Sequence, residues 1–132
     1  MLRTFTFATA AALLAAAAPV AANEVFSCEF NIECIGADRP CVAKVPLSAQ
    51  LAHVSGDGWA LHAEDEDTVT FSELPDGSTQ MRRFLSLNSD SDAEAVSLLS
   101  IFEDGQAYLS IHGIFLSPGF VTHKGTCVPG AD

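Results

Sequence analysis

Three sets of side chains in this sequence have the types and spacing to do chemistry: four cysteines, four histidines and a run of carboxylates. Cys28, Cys34, Cys41 and Cys127 are an even set. Thiolates can hold zinc, but structural zinc sites use tight knuckles, and the first three cysteines are separated by five and six intervening residues. Disulfides are the better expectation for an exported chain. Four cysteines allow three pairings. Ile35 to Pro40, reading IGADRP, is rich in turn formers and lets Cys34–Cys41 close easily. Cys28–Cys127 is then left to join the first strand to the last. Chain entropy gives such a loop of ~100 residues about 4.7 kcal/mol, against roughly 3 kcal/mol or less for the short one. Cys28–Cys34 with Cys41–Cys127 remains the alternative that spacing leaves open.

The histidines are His53, His62, His112 and His123. His53 and His62 flank the turn signal Ser55-Gly56-Asp57-Gly58, and His112 and His123 flank Ser117-Pro118-Gly119. If Phe115 faces Phe120, His112 lies opposite His123, and the pair becomes a weak candidate for a metal with a nearby carboxylate. A slip of one residue destroys that arrangement, and exposed strand histidines are the plainer reading. Glu64-Asp65-Glu66-Asp67 is the densest acidic run, with Asp90 and Asp92 a smaller one. Neither has the spacing of a calcium loop, so both read as solvated, charged loops. Trp59 and Tyr108 are the single Trp and the single Tyr, candidates either for partner contacts or for packing.

No assembled catalytic constellation is visible. Gly-x-Ser-x-Gly, Ser-x-x-Lys and phosphate-binding Gly loops are absent, and oxidised cysteines supply no thiolate. The expectation is therefore a protein that is not an enzyme and carries no cofactor. Seventeen Asp and Glu against six Lys and Arg give a net charge of −11. So few bases exclude phosphate neutralisation on nucleic acid and docking to anionic membranes. The same charge steers the chain toward a basic protein.

These residues need elements to position them. Residues 1–22 read as a signal peptide, with Arg3 as a basic start, an Ala- and Leu-rich run from Phe5 to Ala18, and small residues at Val20-Ala21-Ala22. Cleavage before Asn23 leaves one domain, 23–132, with no stable membrane anchor and a periplasmic or secreted location. Removing Arg3 moves the net charge to −12. Within the domain, strand-like runs alternate with turn signals. They cover Val25–Ile35, Val42–Val54, Trp59–Ala63, Thr68–Leu74, Gln80–Leu87, Glu94–Phe102, Gln106–Phe115 and Phe120–Val128. Asp104-Gly105 is the best hairpin signal, and Pro46 marks an edge or a bend. About eight strands at this spacing predict an all-β fold: a small antiparallel barrel, mostly meander, or a sandwich, stapled by disulfides. Asp92–Ile101 is the one place where helix competes.

The pattern Phe26-Ser27-Cys28-Glu29-Phe30-Asn31, a later Asp104-Gly105-Gln106-Ala107-Tyr108 and a last Cys127 resemble the periplasmic C-type lysozyme inhibitors. The resemblance implies an eight-stranded antiparallel barrel, a first-strand cysteine bridged to a C-terminal one, and a loop that enters the lysozyme cleft. Here Phe26 stands for the usual Tyr, Asn31 for Gly and Asp104 for the inhibitory Ser. The chain as a whole resembles small exported proteins of alphaproteobacteria with cysteines clustered early and a late Gly-x-Cys, here Gly125-Thr126-Cys127. That group implies no function. The expected role is a non-enzymatic binding module, an inhibitor of a basic exported protein such as lysozyme. Its contact residues are expected among Asp57, Trp59, Glu64, Asp65, Glu66, Asp67, Asp104, Gly105 and Tyr108. A carrier of a small ligand or metal at the barrel mouth is the alternative.

Overall fold

In the computed structural model the described residues are 23–75, 80–88, 94–113 and 119–130. The expected signal peptide lies outside them, as do Asp90, Asp92, Phe115, Ser117, Pro118 and most of the Pro75–Ser78 turn. The described residues form eight strands and no helix. These are β1 (Val25–Ile35), β2 (Val42–Ser55), β3 (Gly58–Ala63), β4 (Val69–Glu73), β5 (Met81–Asn88), β6 (Ala95–Phe102), β7 (Gln106–Gly113) and β8 (Phe120–Pro129). Each pairs antiparallel with its neighbours in sequence, and β8 pairs back onto β1, closing a barrel. The barrel, not the sandwich, is the observed architecture.

Period-two alternation decides which side chains enter the lumen. On β1, Phe26, Cys28 and Phe30 are buried while Ser27 and Glu29 are exposed. The same rule brings in Ala49 and Leu51, Trp59 and Leu61, Phe71, Phe84, Leu99 and Ile101, and Ala107 and Leu109. Aromatic rings fill the centre. Trp59 meets Phe84 edge-on at 5.1 Å and Phe26 at 6.0 Å between centroids. From Ala95 on, the stretch that invited a helix is strand β6, because its register with β5 and β7 turns Leu99 and Ile101 inward. A helix there would have left both neighbouring ladders open.

Both predicted disulfides form, Cys28–Cys127 and Cys34–Cys41. They are compatible with an oxidising, exported compartment. Cys28 lies directly opposite Cys127 in the β1–β8 ladder, with Cα atoms 4.0 Å apart. Two residues earlier, Gly125 faces Phe30. A Cβ on Gly125 would lie 1.9 Å from the Glu29 carbonyl oxygen and 2.7 Å from the Phe30 Cα. Only glycine lets β8 cross β1 this closely. Register shifts between Phe30 and Ile32, so β1 is bulged and coiled where it bends around the barrel.

The opposite seam is weaker. β4 and β5 share only Ser72↔Leu85 and Glu73↔Phe84, extended by a bond from the Leu74 N–H to the Arg83 carbonyl at 2.8 Å.

Candidate interaction surface

Two arrangements of polar side chains stand out, one inside the barrel mouth and one on its outer wall. The inner one centres on Arg82, which shares its strand face with Phe84 and so points into the lumen. Its Nε and Nη2 donate to the two carboxylate oxygens of Glu73 at 2.8 and 2.9 Å. Its Nη1 donates to Glu24. Trp59 Nε1 donates to Glu73 at 3.1 Å. The guanidinium carbon sits 5.2, 5.1 and 5.5 Å from the ring centres of Phe26, Trp59 and Phe84. The hydrogen bonds to Glu73 hold the Arg82 pKa above its ordinary value, with burial opposing and Glu24 adding to the rise. An ion pair of this geometry is a plug and a clasp, since its donors and acceptors face one another. A small cavity of about 300 Å³ lies beside it, walled by Phe26, Met81, Ile101, Phe102 and Pro129.

The outer arrangement is a groove of about 560 Å³ across β8, β1, β2 and β3. Antiparallel register builds it from two rows. One row runs Val128, Ser27, Gln50, His62, each opposite the next. The second runs Thr126, Glu29, Ser48, and Glu64 follows Ala63 on the neighbouring strand to border the same groove. Short Ser27, Ser48 and Thr126 line it together with the longer Gln50, His62, Glu29 and Glu64. The His62 Nδ1 and the Thr68 hydroxyl are 3.2 Å apart, which holds the imidazole beside the residue that precedes β4. Two carboxylates, an imidazole and several hydroxyls on a shallow surface can accept hydrogen bonds from cationic groups.

The expected contact residues divide. Glu64 borders the groove, and Asp65, Glu66 and Asp67 continue from it as an exposed turn, with Asp65 at φ 62°. Asp57 is exposed in the β2–β3 turn, where its carbonyl accepts from the Glu73 N–H at 2.7 Å. Asp104 and Gly105 border the mouth cavity. Asp104 accepts from the Gln106 backbone and side chain at 3.0 and 2.9 Å, and the Tyr108 hydroxyl donates to Gln106 at 3.2 Å. That ladder, with Phe102 edge-on to Tyr108 at 5.7 Å, orders the β6–β7 hairpin. Trp59 corrects the expectation. It is 1% exposed, because its position opposite Phe71 puts it in the lumen rather than on a loop.

The histidine pair is also corrected. His112 lies opposite Phe120 and stacks on it at 5.5 Å, while His123 lies opposite Leu109 on β7 and Glu33 on β1. The offset from the expected register is odd, so the two imidazoles occupy opposite faces of the sheet. Burial lowers the His123 pKa, with Glu33 opposing and Lys44 adding to the shift. Among the described residues no three His, Cys, Asp or Glu side chains converge as metal ligands.

Sequence reasoning missed the groove, because its rows depend on register across four strands. It also missed Arg82, although the alternation Arg82, Phe84, Ser86 carried the signal that this arginine shares a face with a core phenylalanine. No known protein family, curated protein or solved structure matches the chain.

Proposed function

We propose that the protein is a non-enzymatic binding module, acting in the periplasm or after secretion, that holds a basic protein through the outer groove. The observation that carries this reading is the placement of Glu29 and Glu64 on one groove in a chain of net charge −11. The rings that fill the lumen favour an outer surface over an internal ligand chamber. Steering by net charge speeds the encounter, and the two carboxylates give the cationic side chains fixed acceptors. Lysozyme, a cationic exported protein, is the first partner to test, as the resemblance in β1 and the β6–β7 hairpin implies.

Titration against lysozyme at low and moderate salt checks the reading. Binding should weaken with salt, and Glu29→Gln with Glu64→Gln should weaken it by about tenfold while leaving the fold intact. Salt-insensitive binding, or equal binding by the double variant, overturns it.

A further inference from the structure

Following β2 away from the groove leads to seven consecutive exposed residues, Val42 to Ser48. On one side this stretch pairs with β1 through Val42, Ala43, Leu47 and Ser48. On the other side the ladder to β3 begins only at Ala49. Among the described residues, no strand pairs with the edge of β2 before that point. The stretch is apolar: Val45 is 90% exposed and Val42 47%, and Ile32 of β1 adds 38% beside them.

An exposed, apolar, unpaired edge is a template for another strand, and proteins normally guard it with lysine, proline or a covering loop. The guards here are partial. Pro46 removes one N–H. Lys44 is drawn to Glu33 of β1 at 3.3 Å, so its charge is offset by a neighbour inside the sheet. β3 leaves the sheet at Ala63 and turns through Glu64, Asp65, Glu66 and Asp67, all exposed. A strand added to β2 would enter the position that β3 vacates and run beside these carboxylates. Ser48 and Glu64 also border the groove, so edge and groove are one continuous surface.

We infer that this β2 edge receives an extended segment of the basic partner by strand addition, a segment that alternates apolar residues with Lys or Arg. Main-chain bonds to β2 supply the pairing, and the acidic turn and groove take the cationic side chains. Charge selects this occupant over a second copy of the chain, which would bring its own Glu64–Asp67 turn and a net charge of −11. The inference rests on the groove reading and adds the conformation and pattern of what is bound.

Amide NMR of the intact protein tests it with three synthetic peptides. These are alternating Lys-Val, the same peptide N-methylated at every second amide, and alternating Glu-Val. The first should shift the Val42–Ser48 amides and slow their exchange. N-methylation should weaken it by about tenfold or more, because it removes the donors that pair with β2. The Glu-Val peptide should not bind. Equal binding by the methylated peptide, with shifts confined to Ser27, Glu29, Gln50 and His62, overturns strand addition and leaves the groove reading standing. Absence of any shift at Val42–Ser48 overturns it too and leaves the groove to the lysozyme titration. Concentration-dependent protection of those amides without peptide also overturns it, by identifying a second copy as the occupant.

Discussion

The barrel is closed by two seams on unlike principles. β1 and β8 share a ladder from Phe26↔Pro129 to Ile35↔Val121, a disulfide near its Phe26 end and a glycine that permits close approach. β4 and β5 share two paired positions and are held by side chains: Glu73 grips Arg82 with both oxygens and Trp59 with one. The first seam is covalent and backbone-based, so it responds to redox state and to steric change. The second is ionic and aromatic, so it responds to charge. A small closed sheet can therefore tolerate a short ladder where an inward ion pair bridges the gap.

Breaking the first seam should cost most. Cys28→Ala with Cys127→Ala should lower unfolding free energy by about 4.7 kcal/mol, while Cys34→Ala with Cys41→Ala should cost about 2.5 kcal/mol, by loop-entropy scaling. Denaturant melts followed by far-ultraviolet circular dichroism give both values. Equal losses would mean that loop length does not set the difference. Gly125→Ala is the steric counterpart. Its Cβ meets the β1 backbone, which side-chain rotation cannot relieve, so a loss of about 3 kcal/mol is expected in the same melts.

Arg82→Met tests the second seam. It keeps an apolar stem among the rings but leaves the Glu73 carboxylate half-buried without its guanidinium. Fully buried pairs lose ~3–5 kcal/mol when broken. Arg82 is 31% exposed at its side chain, so about 2 kcal/mol is the expectation. Hydrogen exchange should quicken first at Ser72, Glu73, Phe84 and Leu85. Uniform quickening around the barrel would mean that the clasp is not local to this seam.

The smallest effect returns to the first seam. His123 lies there between Leu109 and Glu33, with Lys44 nearby. Its folded pKa lies below the ordinary 6.5, so the unfolded chain binds the proton more readily. Its contribution to stability is whole above pH 6.5 and is lost as pH falls from there toward the depressed folded value. A pH series of melts should show this slope, and His123→Gln should flatten it. An unchanged slope in the variant would assign the dependence to other groups.

Much of the architecture was legible in the sequence, because alternation and turn residues act locally. Phe26, Cys28 and Phe30 at period two gave the first strand its inner face, and Asp104-Gly105 gave a hairpin closed by the Gly105 N–H on the Phe102 carbonyl at 2.9 Å. The turn-rich loop favoured the cysteine pairing that forms, although spacing left a second pairing open. What was not legible depends on register. A facing His112–His123 pair was conditional on Phe115 lying opposite Phe120, and among the described residues His112 pairs with Phe120 instead. The outer groove needs four strands aligned at once, and no local signal carries that. Trp59 illustrates a third case: residue type alone left partner contact and packing both open, while strand parity with Phe71 decided burial.

That tryptophan also gives the protein an optical reporter. It is the sole indole, it touches the Arg82 guanidinium and the Glu73 carboxylate, and it lies against Phe84 across the weaker seam. Its emission should be blue-shifted while the mouth is shut and move to longer wavelength when β5 parts from β4. Because the disulfide closes the other seam, comparing this emission in oxidised and reduced protein separates a barrel that has merely gaped from one that has come apart.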